Sequence, residues 1–99
     1  MRQDKNPQQD GALHQKKITV TNKLGLHARP AAMFVELAKK FESLITIRKG
    51  RQKVDGKSIM GLMTLAAGPG TEITLMAEGH DAKEAIQGLG KLFETNFGE

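Results

Sequence analysis

One stretch of this 99-residue chain gathers the side chains best able to do chemistry. In Gly25-Leu26-His27-Ala28-Arg29-Pro30-Ala31-Ala32 an imidazole stands two residues before a guanidinium and three before a proline. The proline fixes the local geometry. It is tolerated only in the first turn of a helix, where its missing N–H would have had no intrahelical partner. Ala31, Phe34, Val35, Ala38 and Phe41 recur at steps of three and four, so a helix is predicted to start close to His27 or Ala28. At such a start the backbone N–H groups of Ala28 and Arg29 lack acceptors, and the helix dipole favours negative charge. That combination is an anion site. The dipole and Arg29 both favour an uncharged ring with a lone pair free to act as a nucleophile. The same donors would hold the charge of a phosphoryl group once it sat on the ring. Two roles therefore fit His27: a helix cap beside a surface arginine, or a nucleophile set in an anion site.

Ser58 begins a second segment of interest. Serine is a preferred N-cap worth about 1 kcal/mol, and a short helix is expected from Ile59 to Leu65. Ile59, Met60, Leu62 and Met63 crowd that helix with more apolar side chains than it can bury. Core packing is the usual role of such residues. His14 and His80 have no comparable context and are expected to be solvated. No Ser/His/Asp arrangement is apparent near His27.

The elements that must position these groups follow from periodicity. Order is expected from Lys16, where Ile18 and Val20 alternate with Thr19 and Thr21, and residues 1–15 read as a flexible polar tail. Leu44 to Arg48 is a strand with Ile45 and Ile47 on one face. Lys49-Gly50-Arg51 turns the chain, and Gln52 to Asp55 returns as a short polar strand. Gly68-Pro69-Gly70 marks a turn before the alternating strand Glu72 to Glu78. Asp81, with Glu84 three residues on, resembles a capping box opening a last helix with the stripe Ala85, Ile86, Leu89, Leu92 and Phe93. The order β-α-β-β-α-β-α predicts an α+β sandwich in one domain, residues 16–99, with helices on one face of an antiparallel-rich sheet.

Composition excludes several classes. There is no cysteine, hence no disulfide and no thiolate chemistry. No apolar run approaches the roughly 20 residues of a membrane span. The first fifteen residues lack the apolar core of a secretory signal, so a cytoplasmic protein is expected, without metal or cofactor. The net charge of +4 conceals a basic middle, +8 over residues 16–57, against −4 over residues 58–99. Such a balance suits an acidic or phosphate-bearing partner. It also admits a small RNA-binding module, but that needs exposed aromatic platforms. The chain has no Trp or Tyr, and of its four Phe three lie on helix stripes.

Gly25-Leu-His-Ala-Arg-Pro-Ala-Ala32 resembles the phosphorylation-site signature of the histidine-containing phosphocarrier family, HPr, of the bacterial phosphotransferase system. Lys57-Ser58-Ile59-Met60-Gly61-Leu62-Met63 is similar to that family's second signature, and Gly70-Thr71 before a strand also fits. The resemblance covers about residues 16–95, with the elements in the family's order. Residues 21–25 and Phe97-Gly98-Glu99 are also similar to the nitrogen-branch paralogue, NPr. The resemblance implies an open-faced β-sandwich, a four-stranded antiparallel sheet with three helices on one face. It implies that His27 accepts a phosphoryl group on Nδ1 from enzyme I and passes it to an enzyme IIA domain. Arg29 and the backbone of Ala28 and Arg29 would hold the phosphoryl oxygens. The chain would be a carrier rather than an enzyme, a monomer, with no nucleic acid or membrane partner. Ser58 would be open to a regulatory serine kinase and phosphorylase, and Lys57, Ile59, Met60 and Met63 would form a docking patch. Lys23, Arg29, Arg48, Lys49, Arg51 and Lys57 would steer acidic partners. The alternative implied is a mainly regulatory protein-binding module of the nitrogen branch.

Overall fold

Alternation within the strands decides the architecture, because each strand has one apolar face to bury. The computed structural model describes residues 12–99. In chain order these form β1 (Leu13–Thr19), α1 (Ala28–Ala38), β2 (Leu44–Lys49), β3 (Gln52–Asp55), α2 (Ile59–Thr64), β4 (Glu72–Glu78) and α3 (Ala82–Glu94), followed by a 3-10 turn, Asn96–Gly98. The strands make one sheet in the order β1-β4-β2-β3, with every neighbouring pair antiparallel. Ile18, Ile45, Ile47, Ile73, Leu75 and Ala77 are buried on one face of it. The three helices cover that face and leave the other open, the α+β sandwich expected. Phe34 of α1, Leu62 of α2 and Leu89 of α3 have no exposure. Burial of each such side chain contributes about 1.5–3 kcal/mol.

β1 begins at Leu13, three residues before the alternation of Ile18 and Val20 suggests. Its ladder with β4 runs from Leu13↔Glu78 to Thr19↔Glu72. The early residues do not look like a strand because His14 and Lys16 occupy inward positions at the sheet margin, while Leu13 faces solvent. Of the segment expected to be a tail, residues 1–11 lie outside the described residues.

The start of α3 departs from the capping-box expectation. Asp81 stands at the N-cap position but makes no cap bond. Its carboxylate is drawn instead to the loop between α1 and β2, accepting the N–H of Glu42 at 2.9 Å, the N–H of Ser43 at 3.0 Å and the Ser43 hydroxyl. The Ser43 hydroxyl, then the two amides and nearby His80, outweigh burial and hold this carboxyl below its ordinary value of 3.8. A carboxyl depressed in the folded state contributes stability above its unfolded value and loses it as pH falls through the folded one. Asp81→Asn turns an NH2 toward these donors and is expected to cost about 1 kcal/mol at neutral pH, after allowance for solvent screening. The loss fades as pH falls from the unfolded carboxyl's ordinary value of 3.8 through the lower folded one, where the native carboxyl protonates. Thermal melts followed by circular dichroism across the acid range check both parts.

Candidate functional site

The loop before α1 is folded tightly enough to fix where His27 emerges. Val20 N–H donates to Thr71 O at 2.9 Å and Gly70 N–H to Val20 O at 2.7 Å, extending the β1–β4 pairing. Asn22, 2% exposed, donates its side-chain amide to Gly25 O at 2.7 Å. Gly25 adopts φ +67°, and a Cβ there would fall 2.3 Å from Ala67 O. Only glycine permits this approach. Leu26 N–H then donates to Ala67 O at 3.0 Å, seating the loop against residues 66–68.

His27 follows as the N-cap residue of α1, extended at φ −79° and ψ −171°, with Ala31 N–H donating to its carbonyl at 3.0 Å. The helix starts at Ala28, as Pro30 requires. The ring itself makes no cap bond. It turns toward the C-terminal residues, and its Nε2 lies 3.1 Å from Glu99 Oε2. A carboxylate only accepts, so Nε2 carries the proton and a neutral ring keeps its lone pair on Nδ1. The imidazole side chain is 35% exposed. Among the described residues the N–H groups of Ala28 and Arg29 meet no acceptor.

Glu99 owes its place to Phe97. That ring is 1% exposed and meets Phe93 edge-on at a centroid distance of 4.8 Å; Phe93 meets Phe34 in the same way at 6.0 Å. Asn96 and Phe97 both take left-handed conformations, φ 52° and 55°, which turn the backbone toward α1. Thr21 Oγ1 donates to Asn96 Oδ1 at 2.7 Å, and Asn22 Nδ2 to Glu99 Oε1 at 3.4 Å. A cleft results, whose lining includes Lys23, Leu24, His27, Arg29 and Glu99. A second, apolar depression on the other side of His27 is lined by Leu24, Leu26, Met63, Ala66, Ala67 and Gly68.

The α2 segment divides as its crowding suggests. Leu62 is buried, whereas Ile59, Met60 and Met63 are exposed, Met60 to 72%. Ser58 caps the helix, its Oγ accepting Gly61 N–H at 3.0 Å. The basic residues separate into groups that sequence position hides. Lys23 and Arg29 lie in the histidine cleft. Lys57 Nζ donates to Phe41 O at 2.7 Å just past α1, and Lys49 Nζ to Leu65 O at 2.9 Å just past α2. Both ammonium groups sit at helix C-termini, where the dipole is negative. Arg48 instead lies on the sheet, donating to Thr74 Oγ1 at 3.4 Å. His14 is half-buried on β1. His80, expected to be solvated, has Nε2 2.6 Å from Glu42 Oε1.

Sequence reasoning about the site omitted Glu99, Asn22 and Leu24. Leu24 is 67% exposed beside the ring. The faint signals were a large apolar side chain, Phe97, between two residue types that favour left-handed backbone, and an asparagine three before a glycine.

The PTS-HPr family model, described as the PTS HPr component phosphorylation site, matches residues 14–95. The chain is 52% identical over 75 residues to HPr-like protein Crh of Bacillus subtilis, covering 76% of this chain and 88% of that one. It is 48% identical over 83 residues to phosphocarrier protein HPr of Xylella fastidiosa, covering 84% and 93%. The crystal structure of HPr-C-His from Thermoanaerobacter tengcongensis has a TM-score of 0.84 to it at 50% identity, over 87% of this chain and 97% of that chain.

Proposed function

The chain belongs to the HPr family of phosphotransferase-system phosphocarriers, and we propose that it carries its phosphoryl group on Nδ1 of His27. The observation behind this is the ring's setting: at the open first turn of α1, beside Arg29, with Nε2 tied to Glu99 and Nδ1 left with the lone pair. As Nδ1 forms its bond to phosphorus, the bond from phosphorus to the donor breaks. Positive charge grows on the ring, and the Glu99 carboxylate offsets it through Nε2–H. Negative charge on the phosphoryl oxygens meets the Ala28 and Arg29 amides and the Arg29 guanidinium. The group leaves by the reverse displacement onto the next acceptor, so the protein is a carrier and not a catalyst with its own turnover.

The donor in this reading is enzyme I charged by phosphoenolpyruvate, and the acceptor an enzyme IIA domain. Both dock over the apolar rim formed by Leu24, Ile59, Met60 and Met63, where unbranched methionines adapt to different partners. A phosphate on Ser58 would take over its bond to Gly61 N–H without unwinding α2, while setting a dianion in that rim. The carrier works as a cytoplasmic monomer. Among the described residues no helix is long and apolar enough to cross a membrane.

Intact-mass measurement after incubation with enzyme I and phosphoenolpyruvate tests the reading. One acid-labile phosphate is expected, discharged on adding a IIA domain. A mass unchanged with active enzyme I would overturn it.

A further inference from the structure

Three polar side chains are buried among the described residues: Asn22, Ser43 and Thr74. Ser43 meets Asp81 and Thr74 meets Arg48, both away from His27. Asn22 is different. Its amide nitrogen faces two acceptors of the phosphoryl site, Gly25 O at 2.7 Å and Glu99 Oε1 at 3.4 Å. A carbonyl and a carboxylate only accept, so both N–H bonds of the amide are committed.

These two acceptors are the two supports of His27. Gly25 O also accepts the His27 N–H at 2.9 Å, and Gly25 N–H donates back to Asn22 O at 3.1 Å. That support fixes where the His27 backbone leaves the loop. Glu99 offers Oε1 to Asn22 and Oε2 to the ring at Nε2. That support fixes which ring nitrogen carries the proton. The neighbouring Thr21 holds Asn96 at 2.7 Å, so residues 21 and 22 grip both ends of the turn that carries Glu99.

Burial makes the tie costly to break. A buried N–H without an acceptor carries its full desolvation penalty. Displacing Glu99 would therefore strand one N–H of Asn22 as well as free the ring. Serine has one donor for the two acceptors; aspartate has none, and its charge opposes Glu99.

We propose that Asn22 is a positioning residue for phosphoryl transfer. Through Gly25 and Glu99 together it sets both the placement and the tautomer of His27, keeping the lone pair on Nδ1. This role rests on the reading of His27 as the phosphoryl acceptor, and Asn22 acts on the ring through other residues.

The test follows ring nitrogen shifts in the full-length, nitrogen-15-labelled protein with the imidazole neutral. In the native protein the two His27 nitrogens are expected to lie far apart, as one tautomer. In Asn22→Ala they are expected to converge, as in Glu99→Ala. The double variant should go no further than Glu99→Ala alone, because both substitutions act through one carboxylate. Phosphoryl uptake by Asn22→Ala should slow by about ten- to a hundred-fold. A folded Asn22→Ala with native ring shifts would overturn the proposal, as would shift changes that simply add in the double variant. Should Asn22→Ala not fold, Glu99→Ala decides with Asn22 left in place. Displaced Asn22 side-chain amide protons would then support the tie, and unmoved ones would overturn it. Failure of the carrier reading looks different: native protein would take up no phosphate while every ring shift stayed as expected.

Discussion

His27→Ala is expected to end phosphoryl uptake from enzyme I while leaving the fold intact. The two effects separate because of how the ring is held. Its one described hydrogen bond runs to Glu99, it makes no cap bond to α1, and its side chain is partly exposed. Removing it should change stability by no more than about 0.5 kcal/mol, the range of a surface substitution. The acceptor nitrogen proposed for it, however, has no substitute. His14 lies on β1, and His80 is engaged with Glu42, far in the chain from the open turn of α1. Arg29→Ala is the graded companion: the nucleophile stays and one cation is lost, so transfer should slow by about 10²–10³. Rapid-quench measurement of phosphoprotein, alongside thermal melts, reads both. Uptake by the alanine variant at the native rate would move the acceptor elsewhere.

Phe97→Ala should damage both the fold and the setting of His27. A buried phenylalanine cut to alanine costs about 3–5 kcal/mol. Phe97 sits at φ 55°, where a Cβ is unfavourable, but alanine retains the Cβ, so the substitution recovers little of that strain. The melting temperature should fall by well over 10 °C, at about 4–8 °C per kcal/mol for a domain of this size. The more informative effect is on His27. Freed from the Phe93 ring, Asn96–Glu99 no longer presents a carboxylate to Nε2, and the imidazole should exchange between tautomers. Nitrogen chemical shifts of the ring report this directly. Glu99→Ala, which keeps Phe97 in place, separates the loss of the carboxylate from the loss of stability. A single unchanged tautomer in Glu99→Ala would show that Glu99 does not hold the ring.

What could be read from the chain was what local chemistry dictates. Pro30 placed the start of α1 because a missing N–H is a constraint felt within one turn. The alternation of Ile45 with Ile47, and of Ile73 with Leu75, named the buried face of two strands for a similarly local reason. The parts that escaped are set by distant partners. Glu99 meets His27 across 72 positions, and Asp81 prefers the amides of Glu42 and Ser43, 39 and 38 positions away, to those of its own helix. Nothing in Asp81-x-x-Glu84 distinguishes a cap from a carboxylate claimed by another loop. The place of β4 between β1 and β2 is likewise a matter of pairing, which alternation does not encode.

Met60 and Met63 give the molecule an exposure to oxidants that the lack of thiols conceals. Peroxide would convert their thioethers to sulfoxides, polar and chiral where the rim had been greasy. Leu62 has no sulfur and would go on holding α2 to the core, so the damage would fall on the docking rim proposed above and not on folding. Methionine sulfoxide reductases reverse this chemistry, so the change in these two side chains need not be permanent.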